Sequence, residues 1–235
     1  MLFAADGNGN LPEDNKVNNV FEQQITITAP DLQVKANSLS ISPNPTFGQS
    51  IDLNWTIINN GDGATSLGWR DRLYLSKDKT PGNEDDILLW TENINDDFVL
   101  APNGGTYNGS ATVNLPLNPT LIEDTYYVLL ETDIDNKQIE DDETNNTDDI
   151  SQIVSLPPLP NLTIVTDSIK VPSSEYSGQR VQISWTLQNQ GDAAVTGPWF
   201  DEVYFSEDDV IGNQDDQLIK SFEFTGTIEA GQFIT

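Results

Sequence analysis

The stretch SKDKTPGNEDD, from Ser76 to Asp86, returns as SEDDVIGNQDD from Ser206 to Asp216. Asp78, Asn83, Asp85 and Asp86 reappear as Asp208, Asn213, Asp215 and Asp216, a step of 130 residues (78 to 208). Carboxylate and amide oxygens at this density suit calcium, which takes about six to eight oxygen ligands in a flexible geometry. Backbone carbonyls near Gly82 would add to the set. Two carboxylates about 5 Å apart repel by roughly 3 kcal/mol at an effective dielectric of about 20, so converging acids need water or a cation between them. These eight residues are the candidate calcium ligands. The competing reading is a solvated Asp-Asn-Gly turn, which such side chains close through their own hydrogen bonds. Glu84 and Asp209 are not shared between the copies and are left out of the set.

A second acidic group, Asp133, Asp135 and Glu140, is echoed by Asp6, Asn8 and Glu13. Lys137 stands where the earlier copy has Asn10, and a lysine opposes a cation, so a hairpin turn is the better reading. Asp71 recurs as Asp201 but lies seven residues before Asp78. That is about 23 Å along an extended strand, so Asp71 is expected at the other end of its unit, as a turn or hydrogen-bonding residue. Asn145-Asn146 and Asn18-Asn19 are expected to bond exposed backbone. Trp55 and Trp185, among alternating apolar residues, are core candidates. Trp69, Trp90 and Trp199 lie near strand ends, where edge packing is favoured over stacking on sugar rings.

Composition narrows the chemistry. Thirty-eight acidic residues against ten basic ones give a formal charge of −28, which repels both a phosphate backbone and anionic lipid. No nucleic-acid partner and no membrane insertion are expected. The chain holds no Cys and no His, which removes disulfides, thiol catalysis and Cys- or His-ligated metals. Paired acids can hydrolyse glycosides across a cleft, but these cluster in turns, so no enzyme is expected.

The elements carrying these loops repeat as well. PDLQVKANSLSISPNPTFGQSIDLNWTIINNGDGAT, from Pro30, parallels PNLTIVTDSIKVPSSEYSGQRVQISWTLQNQGDAAV, from Pro160. DGNGNLPEDNKVNN, from Asp6, parallels DIDNKQIEDDETNN, from Asp133. Seven short strands are predicted in the complete copy, beginning with DLQVKANSLSI, and Ile51, Leu53, Trp55 and Ile57 alternate onto one face of the second. The fold class is all-β: tandem immunoglobulin-like seven-stranded sandwiches, one complete and two partial. Residues 1–28 hold the last two strands of a preceding unit, 29–156 the complete unit, and 157–235 a unit lacking its last strands.

PDLQV, GQSIDLNWTIINNGDGAT, WRDRLYLSKD and IEDDETNN together resemble CARDB domains, the cell adhesion related domain found in bacteria. The resemblance implies an immunoglobulin-like sandwich, often in tandem on secreted or surface proteins, and no catalytic residues. The expected function is a structural or adhesive repeat of a secreted or cell-surface protein, stiffened by calcium. Its expected partners are adjacent repeats or neighbouring copies, with Leu2, Phe3 and a strand from Val20 to Thr28 completing the unit that holds Trp185. The alternative is a module binding a surface glycan or protein. No signal sequence is visible, so export would rely on one outside this chain.

Overall fold

The computed structural model describes residues 1–176 and 178–235. A 3-10 turn at Val17–Asn19 is the one helical element among them, and no helix is long and apolar enough to cross a membrane. Two compact units divide the chain, Met1–Ser155 and Leu156–Thr235.

Unit 1 opens with a hairpin of β1 (Leu2–Ala4) and β2 (Val20–Glu22). The strand expected to run on to Thr28 stops at Glu22, just before Gln23 N–H donates to Met1 O. The sandwich follows: β3 (Leu32–Val34), β4 (Ser40–Ile41), β5 (Ser50–Asn59), β6 (Arg70–Ser76), β7 (Ile87–Asn93), β8 (Gly105–Asn114), β9 (Asp124–Glu131) and β10 (Thr147–Val154). The expected first strand is thus two pieces. Asn37 sits in the left-handed region at φ +59, which extended backbone cannot adopt, and the Ser38 N–H closes a turn on Lys35 O.

Two antiparallel sheets result. One runs β10-β9-β6-β7. In the other, β3 and β4 lie end to end along one edge of β5 and β8 lies along the other. The period-2 alternation of β5 buries Ile51, Leu53, Trp55 and Ile57, and Leu73, Leu75, Val128 and Leu130 are buried on the opposing sheet. Each such side chain contributes about 1.5–3 kcal/mol relative to exposure. A β-carbon on Gly109 would overlap the Trp55 indole, so the cross-strand pair Trp55–Gly109 works only with glycine.

Unit 2 holds β11 (Leu162–Ile164), β12 (Leu187–Asn189), β13 (Val195–Thr196), β14 (Trp199–Phe205), β15 (Gln217–Phe224), β16 (Thr227–Ile228) and β17 (Phe233–Ile234). These pair as β11-β12-β17, β13-β16 and β14-β15. Leu187, Asn189 and Ile228 are buried, and Trp185 is half-buried. Cavities of about 310 and 450 Å³ lie beside Ile183, Trp185, Leu187 and Asp201. The chain is all-β, of sandwich class.

Candidate functional site

The first acidic loop joins β6 to β7 and is tied by its own side chains. Asp85 Oδ2 accepts from Ser76 Oγ at 3.1 Å and from the Lys77 N–H at 2.9 Å. Asp78 Oδ1 accepts from the Thr80 N–H at 2.7 Å, and Asn83 Nδ2 donates to both Asp78 oxygens at 3.2 Å. Asp86 Oδ2 accepts from the N–H groups of Gly82 and Asn83, and the Asp85 N–H donates to Asn83 Oδ1. Gly82 takes φ +84, open to glycine without strain.

The second loop repeats this bond for bond between β14 and β15. Asp215 accepts from Ser206 Oγ and the Glu207 N–H, both at 3.0 Å. Asp208 accepts from the Val210 N–H and from Asn213 Nδ2, and Asp216 accepts from the N–H groups of Gly212 and Asn213. The Lys77 and Glu207 N–H groups, aimed at Asp85 and Asp215, hold those carboxyls below the usual carboxylate range. In each loop one oxygen, Asp86 Oδ1 or Asp216 Oδ1, is buried without a donor. Among the described residues no group of three or more acids is arranged to hold a metal ion.

The loops differ in their surroundings. Lys77 Nζ reaches Asp124 at 2.9 Å and lies 3.6 Å from the centre of the Tyr126 ring, and Lys79 Nζ reaches Asp149 at 3.0 Å. These lysines brace the first loop to β9 and β10. Glu207 and Asp209 occupy their places in the second loop.

The second acidic group does not converge. Asp133, at φ +44, accepts from the N–H groups of Lys137 and Gln138. Asp135 pairs with Arg70. Glu140 accepts from the Leu32 N–H and is pushed up to about 8, chiefly by burial and then by Asp133 and Glu143. Asp6, at φ +43, closes the same turn on Asn10 and Leu11. Asn19 Nδ2 donates to Glu13 as Asn146 Nδ2 does to Glu140, while Asn145 Nδ2 donates to Asp31 Oδ1.

Asp71 is no turn residue. It lies in β6, 1% exposed, and accepts from Thr132 Oγ1. Trp69 is buried beside Phe98 and Tyr107, and Trp199 packs on Phe224 at 4.3 Å. Trp90 is 37% exposed and donates its indole N–H to Glu92.

Sequence reasoning missed Asn59 and Asn189. Asn59 Oδ1 accepts from the N–H groups of Asp31 and Gly61, and its Nδ2 donates to Gly63 O and Leu100 O. Asn189 bonds Asn161, Gly191, Ala193 and Ile228 in the same way. The signal was the recurrence of Asn59 at the 130-residue step, in INNGD and LQNQGD.

The family model CARDB matches residues 29–149, just over half of the chain. A CARDB domain from Pyrococcus furiosus, solved in complex with di-metal ions, is 16% identical with a TM-score of 0.40, over 56% of this chain and 94% of that one. A domain of a Methanosarcina acetivorans protein named for the cell surface is 19% identical with a TM-score of 0.36, over 54% and 92%. A beta-glucosidase from Listeria innocua is 17% identical with a TM-score of 0.34; 55% of this chain covers 16% of that enzyme. No curated protein matches. With that match over more than half of its length, the chain belongs to the CARDB family.

Proposed function

We propose that the chain is a non-catalytic structural repeat of a secreted or cell-surface protein, an array of sandwiches that meet head to tail. One observation carries this reading: the acids recurring at the 130-residue step are bonded to the backbone of their own turns. Such groups hold hairpins in shape; a hydrolase needs carboxyls facing each other across a cleft. Binding of a glycan would call for exposed aromatic platforms, and Trp69 and Trp199 are committed to packing.

Stretching single molecules of the full chain tests the reading, alongside a glycan array. The expected result is cooperative opening of unit 1 as one domain and no glycan retained at millimolar concentration. Retention that is lost in Trp90→Ala would overturn it in favour of a binding module.

The finer reading gives the loops calcium. The buried, unpartnered Asp86 Oδ1 and Asp216 Oδ1 support it, since a cation would supply what no donor does. Calcium would have to displace N–H donors from the other oxygens. On this reading millimolar calcium raises the melting temperature and Asp86→Asn with Asp216→Asn abolishes the rise. Superimposable melting curves in calcium and chelator leave the loops as turns alone.

A further inference from the structure

We infer that Asn54 and Asn108 are sites of N-linked sugar attachment, two acceptors side by side on the outer face of the β5–β8 sheet. The inference rests on the secreted or cell-surface reading above, because exported chains are the ones that meet lipid-linked sugar donors. The acceptor pattern is Asn-x-Ser/Thr, with x other than proline. It occurs at Asn54-Trp55-Thr56 on β5 and at Asn108-Gly109-Ser110 on β8. Asn54 lies opposite Ser110, and Thr56 lies opposite Asn108. The middle residues, Trp55 and Gly109, also oppose each other, with the buried indole over the glycine. Side chains alternate along a strand, so both asparagines and both hydroxyl residues point outward.

Asn54 and Asn108 are exposed. Asn108 Oδ1 accepts from Thr56 Oγ1 at 2.8 Å, and among the described residues neither asparagine has a partner bonded to its Nδ2. The fold makes no use of the N–H that a sugar would replace. Asn145-Asn146-Thr147 has the same pattern and shows the contrast: Asn145 is half-buried, and its Nδ2 donates to Asp31 Oδ1 at 2.8 Å. A sugar there would break the tie between the β9–β10 loop and the chain before β3. Asn44-Pro45-Thr46 and Asn118-Pro119-Thr120 are ruled out by their prolines. Asn161-Leu162-Thr163 precedes and enters β11 and stands alone in unit 2.

The surrounding face has a need that sugar would meet. The chain carries a charge of −28, yet residues 36–61 hold one charged side chain, Asp52, and residues 98–122 hold none. These two segments supply β4, β5 and β8. Like charge, which keeps copies apart elsewhere, is missing here. β8 runs for ten residues without a charge or a proline and, among the described residues, pairs with β5 alone. A long open edge of this kind invites pairing with another chain unless something blunts it. A bulky, solubilising sugar on Asn108, at the middle of the strand, would blunt it.

The transfer balances without an oxidant or reductant. Asn Nδ2 forms a bond to the anomeric carbon of a glycosyl group carried on a polyprenyl diphosphate. The bond from that carbon to the diphosphate oxygen breaks, and its electron pair leaves with the diphosphate. Nδ2 gives up one proton to a base of the transferring enzyme. Residues two apart on a strand lie about 6.5–7 Å from each other, too far for the hydroxyl to meet the amide behind it. Attachment therefore precedes the pairing of β5 with β8.

Mass spectrometry of peptides tests this, on the full chain recovered separately from the medium, the envelope and the cytoplasm of the cells that make it. The expected result is a series of added sugar residues on the Asn54 and Asn108 peptides of exported material. Thr56→Val should abolish the series at Asn54 and Ser110→Ala the series at Asn108, while Thr56→Ser and Ser110→Thr keep them. Valine suits a strand, and melting curves of each pair show that the loss does not come from misfolding. Exported chain that is bare at both asparagines, or that carries sugar only on Asn145 or Asn161, overturns the inference and leaves the secreted reading standing. Sugar that persists in Thr56→Val and Ser110→Ala overturns it too. Bare chain confined to the cytoplasm overturns both.

Discussion

Thr132 donates its hydroxyl to Asp71 Oδ1 at 2.7 Å, inside the core of unit 1. The other oxygen, Oδ2, is buried without a donor. Burial pushes the Asp71 carboxyl up to about 7, against the lowering effect of its hydrogen bonds. The folded state then keeps a proton that the unfolded chain gives up from pH 3.8. Stability contributed by this group is full below that pH and is lost as pH rises to about 7. A tenfold difference in proton affinity between the two states is worth about 1.4 kcal/mol, so the loss is on the order of a few kcal/mol. Chemical denaturation between pH 4 and 7 should show unit 1 weakening as pH rises. Asp71→Asn, which keeps an acceptor for Thr132, should flatten that slope.

Asn59 and Asn189 give a prediction about the frame. Each is fully buried and ties the end of its strand to the chain before it and to a loop after it. Removing the amide leaves buried N–H and C=O groups without partners, at about 1–3 kcal/mol for each group stranded. Asn59→Ala should lower the stability of unit 1 by about 3 kcal/mol or more in denaturant titration. Asn189→Ala should weaken unit 2 and leave unit 1 nearly unchanged, because the bonds it breaks lie within unit 2.

These residues also show where sequence reading reaches its limit. The alternation of Ile51, Leu53, Trp55 and Ile57 announces a strand with one buried face because side-chain direction along a strand is local. The role of Asn59 depends on Asp31 and Leu100, 28 and 41 residues away, which no local pattern reveals. Asp71, expected as a turn or hydrogen-bonding residue away from Asp78, is the hydrogen-bonding one; its partner, Thr132, lies 61 residues along the chain, and no local pattern shows that partner or the burial. For the acidic loops the oxygens were visible in the composition. Which of them backbone donors take depends on turn geometry, including the left-handed Gly82 and Gly212.

Gly109 tests the packing. It faces Trp55 across β5 and β8, and any β-carbon there meets the indole ring. The ring is buried and so cannot swing into solvent. Gly109→Ala should therefore destabilise unit 1 by about 1–3 kcal/mol, the range for overpacking a tight core. Thermal melts would show the loss, with a changed tryptophan emission as the local signature.

Glu140 is a second buried-proton site and makes the opposite use of substitution. Its carboxylate holds the Leu32 N–H, and burial, Asp133 and Glu143 together push it up to about 8 from a usual 4.5. Stability tied to that proton is complete below 4.5 and is lost as pH climbs to about 8. Glutamine has nearly the same shape, carries no charge and keeps one oxygen for Leu32. Its amide takes the place opposite Asn146 Nδ2, so Asn146 has to turn its own amide over to present Oδ1, which is buried and unpartnered. Glu140→Gln should match the parent near pH 4 and exceed it increasingly towards pH 8. Melting temperatures across that range check the crossover, and a variant weaker than the parent at pH 8 would show that the ionised carboxylate itself is what secures the loop to β3.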